Sequence, residues 1–155
     1  MIVPLAVGVG VVVPLCLLTG VVPAEGIAIV PVGGIVLGGT MTATSLSARR
    51  ALDALSERHG EVEAALSLGL GERDSRLEVV RPTAGDALLP GLDQTRTVGL
   101  VTLPGAFVGV LLASGSAIQA GAVQILVLTG LLLAQTLAVA LTVDLVSRGR
   151  VHRQL

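Results

Sequence analysis

From residue 120 to residue 143 the chain reads AGAVQILVLTGLLLAQTLAVALTV, 24 residues without a charge. A helix rises 1.5 Å per residue, so this run spans about 36 Å, more than the ~30 Å hydrocarbon core of a bilayer. Three further uncharged runs, residues 2–22, 27–48 and 98–115, are each long enough to cross. The sequence therefore predicts an all-α membrane protein with four transmembrane helices in two hairpins. Composition agrees: of 155 residues 52% are hydrophobic and 14% charged, and mean hydropathy is +0.88. Soluble domains carry about 25% charged residues. The first hairpin turns at Pro23-Ala24-Glu25-Gly26 and the second at Ser114-Gly115-Ser116, both rich in turn-forming residues.

The charges set the expected topology. All ten basic residues are arginine, and seven of them lie between Arg49 and Arg96. Arg148, Arg150 and Arg153 close the chain, and neither residues 1–48 nor 97–147 contain a basic residue. Positive residues stay on the cytoplasmic side of a membrane. The expected organisation is a first hairpin over 1–48, a cytoplasmic helical loop over 49–97, a second hairpin over 98–147 and a cytoplasmic tail over 148–155. Both termini are then cytoplasmic, in a multi-pass protein of the cell membrane. A net charge of −1 argues against nucleic acid as a partner. Membrane lipid is the expected environment.

Within the loop, Leu52, Leu55, His59, Val62 and Leu66 recur at steps of three and four, with the charged residues off that stripe. The spacing predicts one amphipathic helix over 49–68, continuous with the second span, on which His59 packs. Gly69 and Gly71 end it. Residues 72–81 form a second, charged helix that Pro82 stops.

Two stretches of this region resemble a known family. Glu63-Ala64-Ala65-Leu66-Ser67-Leu68-Gly69 is similar to the E-A-A-x-x-x-G loop of ABC transporter permeases. Residues 88–105, LLPGLDQTRTVGLVTLPG, resemble a segment of the membrane subunits of bacterial iron-export ABC systems, whose plant relatives are aluminium-tolerance permeases. Pro31-Val32-Gly33-Gly34-Ile35-Val36-Leu37-Gly38 looks like the turn in that family's preceding span. The resemblance implies a permease subunit of an ABC-type exporter for iron or another metal, working as a homodimer with a separate ATPase subunit. It also implies that this chain corresponds to the C-terminal part of the family's members. By the same resemblance Glu63, Ala64, Ala65 and Gly69 would couple to the ATPase. Asp93, Arg96, Thr97, Gly99, Pro104 and Gly105 would serve the transport cycle or a hinge. The alternative is a small stand-alone membrane scaffold or an inactive remnant of such a permease.

Residue by residue, the expectations are plainer. Gly33, Gly34, Gly38 and Gly39 offer a small face for helix packing. Pro4, Pro14 and Pro104 kink their helices. Asp93 and Arg96 pair at the membrane surface. Gln124 and Gln135 hydrogen-bond between helices. Cys16 is a small buried hydrophobe. There is no lysine, so a P-loop of the usual kind is excluded and ATP hydrolysis would fall to a partner chain. Neither a catalytic apparatus, a cofactor nor a metal site is expected, since His and Cys form no cluster at ligand spacing.

Overall fold

The computed structural model describes residues 2–18, 26–97 and 104–151. All regular structure among them is helical. In chain order the helices are α1 (Ile2–Leu18), α2 (Gly26–Glu57), α3 (His59–Ser67), α4 (Glu72–Val80), α5 (Leu89–Thr97), α6 (Gly105–Ser114) and α7 (Ala117–Ser147). Two short 3-10 turns, Arg81–Thr83 and Gly85–Leu88, join α4 to α5. Among the described residues, α7 is the one helix with both the length and the apolar composition to cross a bilayer. The apolar stretches Ile2–Leu15 and Gly105–Ser114 are shorter.

The axis of the fold is α7, which packs against α1, α2 and α6 and, at its C-terminal half, against α4 and α5. Its main partner is α2. Small residues make this approach possible: Thr40, Ala43, Thr44, Ser47, Ala51 and Ala54 form the buried stripe of α2. Val123, Val127, Leu131, Ala134, Ala138 and Thr142 form the facing stripe of α7. Short side chains let two helix backbones draw close, which is how membrane helices gain van der Waals contact. The hydroxyls do not break the seal. Thr40, Thr44 and Thr142 each donate to the carbonyl four residues back, at 2.6, 2.7 and 2.7 Å. These three hydroxyls are thereby satisfied inside their own helices, whereas the buried Ser47 hydroxyl of the same stripe has no partner.

Continuity of the apolar run 27–48 with the amphipathic segment is observed, since α2 runs unbroken to Glu57. The predicted single helix over 49–68 is not. It breaks at Arg58 (φ −110, ψ 31), and α3 starts in a new direction. The break changes which residues pack. Val62 is buried with Ala54 and Val79, whereas His59 is exposed and lies 3.4 Å from Glu63. Leu66 is exposed as well. Beyond Leu55 the stripe holds at Val62 and fails at His59 and Leu66, because it presumes a straight helix.

The third span also differs from expectation. Within residues 98–115, α6 begins at Gly105, after Pro104 in extended conformation (ψ 144). Pro104 therefore caps α6 instead of kinking a helix. Its ring fixes φ, and it lacks the N–H that a helix interior would need. Residues 98–103, with the expected start of that span, lie outside the described residues. So does the first turn up to residue 25. The second turn is seen. Gly115 is left-handed (φ 66), and the Ser116 side chain accepts from the Gln119 N–H at the start of α7.

The largest core cluster lies where the loop meets the long helices. Ala43 and Ala51 of α2, Val80 of α4, Ala87, and Val139, Val143 and Val146 of α7 form it. The loop helices are thus built into the same core as α2 and α7.

Candidate functional site

Two places bring together residues singled out by the sequence. One is the tip formed by α3 and the turn after it. Glu63 and Ala64 are exposed and Ala65 is half-buried. The helix ends in a Schellman motif: the Leu70 N–H donates to the Ala65 carbonyl at 3.2 Å and the Gly69 N–H to the Leu66 carbonyl at 2.9 Å. That closure needs a left-handed residue, and Gly69 supplies it with φ +89. The turn holds Leu66, Leu68 and Leu70 outward, 41%, 82% and 40% exposed. A defined helix end thus displays three apolar side chains and the Glu63 carboxylate.

The tip is tied down behind. Val62 packs on Val79 of α4, and Arg58 donates to the Val79 carbonyl at 3.3 Å. Arg58 also pairs with Glu61, and this hydrogen bond holds the Glu61 carboxyl below its ordinary range. In turn α4 is fastened to α7: Arg73 donates to Asp144 at 2.7 Å, and Arg148 reaches the same carboxylate at 2.7 Å. The bond to Asp144 raises the Arg73 guanidinium above its already high value. Sequence reading missed this pairing. The spacing of Asp144 and Arg148 was visible as a one-turn pair, but Arg73 lies 71 residues away from Asp144.

The second place is α5 and its seat on the long helices. Gly91 is buried, and a Cβ built on it would fall on the Gln135 Oε1 of α7. On the other side of the same amide is Gly39 of α2, where a Cβ would lie 2.9 Å from Gln135 Nε2 and would run into the Leu131 side chain. The Gln135 amide is therefore wedged between two glycine backbones, one on α2 and one on α5. Its Oε1 has no hydrogen-bond partner, nor has that of Gln124, so the expected interhelical hydrogen bonds are not made by these oxygens.

The remaining named residues are dispersed. A Cβ on Gly33, Gly34 or Gly38 meets nothing within 4 Å, so within that glycine set Gly39 alone receives side chains from a neighbouring helix. Asp93 and Arg96 are both exposed on α5, and Asp93 has an interaction partner. Thr97 ends α5, with its side chain outside the described set, as are the side chain of Cys16 and all of Gly99. Gly105 opens α6 and is exposed. Among the described residues no group of His, Cys, Asp or Glu is placed to hold a metal ion.

Comparisons with known proteins bear on this arrangement. The model of the "Uncharacterised protein family (UPF0014)" matches residues 1–150. The chain is 36% identical over 110 residues to "UPF0014 membrane protein STAR2" of Oryza sativa, covering 71% of this chain and 39% of that protein. It is 32% identical over 124 residues to "Protein ALUMINUM SENSITIVE 3" of Arabidopsis thaliana, covering 80% and 45%. It is 28% identical over 123 residues to "Probable iron export permease protein FetB" of Escherichia coli, covering 79% and 48%. The chain thus spans under half the length of these curated relatives. No solved structure matches it.

Proposed function

The chain belongs to the UPF0014 family of membrane proteins, and from that premise we propose that it is membrane-spanning permease machinery of an ABC-type exporter. Four crossings in two hairpins, with the arginine-rich loop and both termini in the cytoplasm of a cell-membrane protein, fit the charge map. Glu63, Ala64, Ala65 and Gly69 form the docking element for a separate ATPase subunit. Two permease copies would pair with two such subunits. Iron or another metal ion is the substrate class, by analogy with the relative named as a probable iron export permease. Asp93, Arg96, Thr97, Gly99, Pro104 and Gly105 would then line the path by which loop motion reaches the third span.

The observation that carries this reading is the tip of α3. A short helix with a fixed end displays Leu66, Leu68 and Leu70 to solvent and is anchored behind by Val62 and Arg58. Displayed apolar side chains on an anchored helix suit a groove in a partner protein. The test is purification from native membranes in mild detergent. An ATP-hydrolysing subunit is expected to accompany the wild-type chain, and Leu68→Glu is expected to reduce its recovery about tenfold with unchanged membrane insertion. Absence of an ATPase subunit, or equal recovery with Leu68→Glu, would overturn the proposal.

A further inference from the structure

The outward face of α2 carries a groove of about 340 Å³, lined by Met41, Thr42, Ser45, Leu46 and Arg49. These residues lie within nine positions of one helix, about 12 Å along its axis. The groove is apolar along most of its length. The Met41 side chain is 60% exposed, and the Thr42 hydroxyl is turned back onto its own helix, donating to the Gly38 carbonyl at 3.0 Å. Charge enters at one end only. Arg49 is exposed there, next to exposed Arg50, and neither is paired with a carboxylate among the described residues. Three arginines of the loop differ: Arg58, Arg73 and Arg76 each have an acidic partner.

We propose that this groove binds an anionic phospholipid, with an acyl chain along Met41 and Leu46 and the phosphate at Arg49. The match is one of charge and shape together. A mostly apolar helix face suits a hydrocarbon chain, and a cation at its end, with no acid among the described lining residues, selects a negative head group. Arginine suits a phosphate because its planar fork of donors bonds two oxygens at once. The proposal rests on the membrane placement of α2 and is independent of the ATPase.

The chain has no Trp, so Met41→Trp gives a single fluorophore on the groove wall. The protein is placed in vesicles of four parts phosphatidylcholine to one part phosphatidylglycerol. Bromine is carried on the acyl chains of all the phosphatidylglycerol, or of an equal amount of the phosphatidylcholine. The expected result is an apparent local enrichment of phosphatidylglycerol over phosphatidylcholine of about fivefold, the size of one arginine's attraction for an anionic lipid. Arg49→Gln should abolish that preference, and Arg49→Lys should keep most of it. Arg81→Gln, an exposed arginine elsewhere in the loop, should leave it unchanged. Equal quenching by both lipids, or an effect of Arg81→Gln as large as that of Arg49→Gln, would overturn the proposal. Quenching by neither lipid would also overturn it, because the groove would then be covered by protein, a second copy or another segment.

Discussion

Gln135 is closely held between two residues that lack a Cβ. Its carbonyl oxygen faces Gly91 and its nitrogen side faces Gly39. Gly91→Ala would put a methyl group where that oxygen lies, and overpacking of a closed site costs about 1–3 kcal/mol. Thermal denaturation in detergent should show this loss. Pairing Gly91→Ala with Gln135→Ser should restore stability beyond the sum of the single effects. A coupling below about 0.5 kcal/mol would show that the two sites are independent. The sequence marked both residues, Gly91 within the quoted motif and Gln135 as a polar group in an apolar run, but nothing local joined them. Their meeting depends on α5 folding back against α7. His59 shows the opposite case: local spacing placed it on a packed stripe, and the break at Arg58 turned it to solvent. Gly69 was legible because a left-handed helix end depends on neighbouring residues alone.

At the scale of elements, the Asp144 carboxylate and two apolar clusters hold the loop helices α3 and α4 to α2 and α7. Asp144 accepts from both Arg73 and Arg148. Asp144→Asn would keep the shape and remove the charge, so α4 should loosen from α7 while α7 stays folded. Amide hydrogen exchange across Glu72–Val80 should rise severalfold in this variant. In ~1 M salt, where charges are screened beyond about 3 Å, the wild type should approach it. Unchanged exchange would mean that the cluster around Val80 and Val146 is sufficient alone. Element types were readable from the sequence: α2, α4 and α7 appear close to where apolar runs and charge patterns put them. Helix ends were readable where Pro or Gly marks them. The direction of α3 and the extended conformation at Pro104 were not, because packing of Val62 on Val79 decides the first and a proline cap the second.

For the whole molecule, the proposed topology sets the tip at Leu68 and the turn at Ile118 on opposite sides of the membrane. Both are open to reagents, at 82% and 87% exposure. In a Cys16→Ser background, Leu68→Cys should react with an impermeant maleimide only from the cytoplasmic side. Ile118→Cys should react only from outside. Labelling of both from one side would show that residues 98–115 do not cross. The unbroken α2 has a mechanical consequence of its own. From Val32 to Glu57 it is a rod of about 37 Å, buried at one end between α1 and α7 and joined at the other to the α3 tip. A rod of that length works as a lever: a swing of about 5° at the tip moves it by about 3 Å relative to the far end. Close to the pivot the same swing shifts side chains by only a fraction of an ångström, so the protein has a built-in gear ratio between its outer arm and its packed interior.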